Sequence, residues 1–87
     1  MASEFEIRQV AIKVKNVYNE INRRREKVYS EVKDTAFWWG GSAGHVFVDE
    51  YRRINDDIYM LLDILAGLEL YLIAMANAAA ELEAKIK

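Results

Sequence analysis

Three of the four glycines in this 87-residue chain, and both tryptophans, fall in one stretch, Phe37-Trp38-Trp39-Gly40-Gly41-Ser42-Ala43-Gly44-His45. There is no proline anywhere. Proline is the residue that breaks a helix interior. Glycine costs about 1 kcal/mol relative to alanine there, and it tolerates the left-handed backbone that closes a helix C-terminus. The stretch therefore reads as a turn at residues 37–42 between two long helices, at about 4–36 and about 43–86. The expected fold is all-α, one helix-turn-helix hairpin domain over 1–87. Trp38 and Trp39, with Gly40 and Gly41, plug its end.

In the first helix Ser3 reads as the N-cap, with Glu4 and Glu6 placed favourably for the helix dipole. Apolar residues follow at Val10, Val14, Val17, Ile21, Val28 and Val32, in heptad-like steps with Arg24 or Arg25 in the gap. Arg23-Arg24-Arg25 invites an anion-binding reading. Consecutive residues point about 100° apart, however, so the tract reads first as a solvated face with an i,i+4 pair from Glu20 to Arg24.

The second helix, with Ser42 as its expected N-cap, carries the strongest period in the chain. Its seam is Phe47, Tyr51, Ile54, Ile58, Leu61, Leu65, Leu68, Leu72, Met75, Ala79, Leu82 and Ile86, with steps alternating four and three throughout. Between residues 58 and 80 it is apolar nearly all round. Tyr59, Leu62 and Ala66 add one stripe; Met60, Ile64, Gly67, Tyr71, Ala74 and Ala78 add another. Gly67, Ala66, Ala74, Ala76 and Ala78–Ala80 are small enough to admit a neighbouring helix. A helix that is hydrophobic on every side is buried on several sides. The length suits a membrane span, but Asp63 and Glu69 lie inside it at about 3 kcal/mol each. The expectation is burial in a multi-helix assembly, with no stable membrane span.

Composition narrows the function. Net charge is −2, so no nucleic-acid partner is expected. The balance is uneven: residues 1–37 carry eight basic and six acidic groups, residues 38–87 four and eight. The absence of cysteine excludes disulfides, a thiol nucleophile and a cysteine zinc site. A single hairpin this small leaves one apolar face wet, so oligomerisation is expected. The start, Met1-Ala2-Ser3-Glu4, lacks the basic and apolar regions of a cleaved signal. No catalytic residue, cofactor or metal is expected. His45 is the only histidine and has no nucleophile beside it in sequence. Asp56 and Asp57 point to different sides of a helix, and neither they nor Asp63 come with a histidine at ligand spacing.

The combination of Trp39-Gly40-Gly41-Ser42, its place between two long helices, and Phe47 eight residues beyond Trp39 resembles the WXG family of small type VII secretion proteins. Trp38-Trp39-Gly40 fits the Trp-x-Gly pattern one residue earlier. The resemblance covers nearly the whole chain. It implies an antiparallel four-helix bundle on dimerisation, with a second copy, a WXG-type paralogue or a larger effector as partner. It also implies cytoplasmic synthesis, export without a cleaved signal by a secretion ATPase, and virulence-associated roles as effector or as an effector's chaperone-like partner. The family's export signal, Tyr-x-x-x-Asp/Glu beyond the second helix, has no counterpart in Ala78–Lys87. The only match, Tyr59-x-x-x-Asp63, lies mid-helix. Two other readings remain open: a cytoplasmic adaptor that is not exported, and a small dimeric enzyme using Arg8, Lys15, Arg24 and Arg52 in the manner of the chorismate mutase family.

Overall fold

The computed structural model describes residues 2–86, and among them the chain is two helices, α1 (Glu4–Trp39) and α2 (Gly41–Ile86). The fold is an all-α helical hairpin. Ser3 caps α1 as expected: its hydroxyl accepts from the Glu6 N–H at 3.2 Å and donates to the Glu6 carboxylate at 3.3 Å. That is a variant of the reciprocal capping box.

The turn is shorter than the six residues expected. Only Gly40 lies outside a helix. Gly40 (φ +62°) and Gly41 (φ +57°) are both left-handed, a conformation that costs an L side chain about 1–2 kcal/mol. Two such residues in a row reverse the chain without a loop. The Gly40 carbonyl accepts from the Gly44 N–H at 3.4 Å, so Gly40 holds the N-cap place before α2, and Ser42 lies inside the helix rather than capping it.

The chain divides into two compact units, residues 20–62 and residues 1–19 with 63–87. In the unit at the turn, Val32, Tyr51 and Leu62 are buried, Leu62 at 2% exposure. Tyr29 packs on Tyr51 with ring centroids 5.8 Å apart. The Arg25 side chain, only 9% exposed, runs along the seam. It donates to Asn22 Oδ1 at 3.0 and 3.1 Å and to Asn55 Oδ1 at 3.2 Å, and it lies 4.4 Å over the Tyr59 ring. In the other unit the buried residues are Ile7, Ala11 and Ala76. There Arg8 bridges Glu4 at 2.8 Å and Asn77 at 2.9 Å, and Glu83 accepts from the Glu4 N–H at 3.0 Å.

The expected seam needs correction as the core of a single chain. Of its fourteen central positions only Tyr51 is buried. Val14, Ile21, Phe47, Ile58, Leu65 and Leu72 are half-buried. Val10, Val17, Val28, Ile54, Leu61, Leu68 and Met75 stay between 40% and 54% exposed. The cause is a phase ambiguity. A heptad on α2 whose alternate positions are shifted by one residue (Gly44, Val48, Tyr51, Asn55, Ile58, Leu62, Leu65, Glu69, Leu72, Ala76) shares every second position from Tyr51 with the expected one. Its remaining members include Gly44, Asn55 and Glu69, which no hydrophobicity pattern selects. That second phase is the one the hairpin packs.

Candidate protein-interaction faces and the Trp-Gly turn

Trp39 and Phe47 meet across the turn, ring centroids 4.7 Å apart at 51°. Gly44 makes this approach possible: a Cβ there would lie 2.9 Å from the Ala36 carbonyl oxygen. Trp38 does not plug the end. It is 84% exposed against 55% for Trp39, and it makes an edge contact with exposed Phe37 at 6.2 Å. The two tryptophans thus divide the expected role: Trp39 closes the hairpin and Trp38 projects from it.

The misassigned positions form a surface. Val10, Val17 and Val28 each precede a seam residue of α1 (Ala11, Tyr18, Tyr29). Ile54, Leu61, Leu68, Met75 and Leu82 each precede one of α2. A residue lies about 100° round the helix from its successor. In an antiparallel pair the preceding positions of both helices therefore fall on the same side. Val28, Ile54 and Leu61 form such a two-helix apolar flank in the turn unit. Val10, Val17, Leu68, Met75 and Leu82 form one in the other unit.

The charged candidates are dispersed. Arg23 and Arg24 turn outward and both reach Glu20 at 2.7 Å, while Arg25 turns into the seam. The two outward guanidinium groups, Arg23 first, hold the Glu20 carboxyl down at about 2 from an ordinary 4.5. Arg52 pairs with Asp49 at 3.6 Å and Arg8 with Glu4. Lys15 lines a shallow groove of the other unit with Arg8, Ile12 and Glu69. His45 lines an open groove at the turn with Tyr29, Lys33 and Arg52. Among the described residues no group of three or more metal-ligating side chains forms, Asp56, Asp57 and Asp63 included.

Sequence reasoning missed the Arg25–Asn22–Asn55–Tyr59 network. Its signal was spacing: Arg25, Tyr29, Val32 and Ala36 step by four, three and four toward the turn. Helix α2 is also long and apolar enough to cross a membrane by length and composition, and little of that stretch is buried within the chain. No protein-family model, curated protein or solved structure matches this chain, so the family resemblance stands on Trp39, Gly40, Gly41 and Phe47 themselves.

Proposed function

We propose that this chain is a non-enzymatic, WXG-type helical-hairpin protein of type VII secretion, working as a dimer with a copy of itself, a paralogue or a larger effector. The observation that carries the reading is the apolar flank that each unit presents on both of its helices at once. Such a two-helix face fits a second hairpin, giving a four-helix bundle whose core is the expected seam from Val10 to Met75. The Trp39–Phe47 contact supports the same reading, because it pairs the two aromatics on which the resemblance rests.

Tyr59 bears on export. Its ring lies under the Arg25 guanidinium, so Tyr59 serves the hairpin and Tyr59-x-x-x-Asp63 is not counted as an export signal. The same observation favours a second reading, a cytoplasmic adaptor that is never exported. Fractionation of cells with and without an active secretion ATPase separates the two. Appearance in the medium only with the ATPase supports export; confinement to the cell pellet in both supports the adaptor. Trp39→Ala is expected to keep the helical circular dichroism and lose capture of the partner. A variant that unfolds instead reduces Trp39 to a structural role.

A further inference from the structure

The flank leaves another face of α2 unaccounted for. Ile64, Gly67, Tyr71, Ala74 and Ala78 step by three, four, three and four, and Met60 extends the series by four in sequence. At about 100° per residue this stripe centres on the side of α2 opposite Leu65, Glu69, Leu72 and Ala76, the positions that face α1. It is open: Ile64 is 67% and Tyr71 63% exposed, and Gly67, Ala74 and Ala78 are exposed as well.

Gly67 is the telling residue. A Cβ added there would meet nothing within 4 Å. Nothing in the hairpin requires a glycine in the middle of this helix, where it disfavours helix. A close approach from outside the chain would require it.

We propose that this back face of α2 is a second self-association surface, on which α2 of another copy packs antiparallel about a two-fold axis beside residue 69. In that register Gly67 faces Tyr71 and Ile64 faces Ala74. Every layer sets a large side chain against a small one, the condition for interdigitated helix packing. A parallel pairing sets tyrosine on tyrosine and glycine on glycine. A lipid surface has no use for the matched sizes.

Surface area agrees. The chain exposes 6779 Å², whereas a compact chain of 10.1 kDa exposes about 5,300 Å². The excess is about 1,500 Å² by that scaling, and a standard interface covers about 800 Å² per partner. A standard-size interface covers about half of that excess.

The back face lies on α2 alone whereas the flank also runs along α1, so one exposed-site variant on each helix tells them apart. Light scattering on the full chain is expected to give four times 10.1 kDa. Tyr71→Lys on α2 and Val17→Glu on α1 each reduce this to two chains with unchanged helicity, and the double variant to one. A two-chain wild type that Tyr71→Lys leaves intact overturns the back face and spares the flank. A two-chain wild type that Tyr71→Lys splits and Val17→Glu does not keeps the back face and removes the flank dimer. Register is read independently by disulfide formation. Gly67→Cys mixed with Tyr71→Cys gives a cross-linked pair, and neither variant does so alone. Cross-linking of the single variants, or none in the mixture, overturns the antiparallel register. Flotation of wild type, but not Tyr71→Lys, with phosphatidylcholine vesicles at the expense of the assembly assigns the face to lipid and overturns the proposal.

Discussion

Gly44 and Gly67 are both helical glycines on α2, and they answer to different partners. At Gly44, in the turn unit, a Cβ would sit 2.9 Å from the Ala36 carbonyl oxygen. The chain itself demands that glycine. At Gly67, in the other unit, the same Cβ would sit in open space. The seams differ in the same sense. The turn unit locks its helices with a part-buried arginine, two asparagines and a tilted pair of tyrosines. The other unit closes on Ile7, Ala11 and Ala76 and leaves Val10, Val17, Ile64, Leu68, Tyr71 and Met75 exposed. The middle of the sequence is written for the chain's own hairpin; its two ends leave apolar surface that the hairpin does not use.

The largest effect is expected at Leu62, among the described residues the one large side chain buried almost completely. Leu62→Ala removes its packing and leaves a cavity, a change that costs about 2–5 kcal/mol. Urea unfolding at fixed protein concentration should show it as a lowered midpoint. A loss under 1 kcal/mol would mean the turn unit is not an independent core.

The glycine pair should respond with opposite signs. Gly44→Ala forces a Cβ against backbone and is expected to destabilise by about 1–3 kcal/mol, an overpacking penalty. Gly67→Ala meets no atom and gains helix propensity, up to about 1 kcal/mol. It should raise the thermal midpoint of the hairpin under dissociating conditions. If both substitutions destabilise the dissociated hairpin, the contrast between the two sites is wrong.

Arg25 sharpens the comparison of the seams. Arg25→Ala removes the charged donor from the part-buried Asn22 and Asn55 carbonyl oxygens, and hydrogen bonds to a charged group are worth about 1.5–3 kcal/mol. Arg8→Ala, in the other unit, opens an exposed ion pair and should change stability by less than about 1 kcal/mol. Equal losses in the two variants would mean the Arg25 network does not distinguish the units.

The sequence made the two helices, the capping serine and the place of the turn legible, because glycine clustering and the absence of proline act locally. The pairing phase was not legible. Tyr51, Ile58, Leu65 and Leu72 belong to both possible seams, and the choice falls to Gly44, Asn55 and Arg25. Those residues enter the seam for reasons of close approach and hydrogen bonding, and a hydrophobicity pattern does not register either. The inward turn of Arg25 was hidden in the same way, since three adjacent arginines look alike until Asn22, Asn55 and Tyr59 are seen to surround one of them. The all-round apolar character of residues 58–80 was plain, but its division into flank and back face required knowing which side α1 occupies.

The smallest effect belongs to Glu20, whose ion pairs lie wholly at the surface. Arg23 and then Arg24 hydrogen-bond its carboxylate and bring it down to about 2 from an ordinary 4.5. A carboxyl whose value is depressed on folding stabilises the folded state fully above its unfolded value. That contribution is lost as pH falls from about 4.5 toward 2. All three side chains are well exposed, so water and salt screen the pair. Glu20→Gln is therefore expected to lower the thermal midpoint slightly at pH 7, by an amount that shrinks in 1 M salt, and to match wild type near pH 2. A difference that persists at pH 2 would place the role of Glu20 in packing rather than charge. A large difference at pH 7 would mean that Glu20, Arg23 and Arg24 are covered in the assembled protein. Since Arg24 holds the place between Val17 and Val28 on the flank of α1, that outcome would carry the partner interface past the valines and onto the arginine tract.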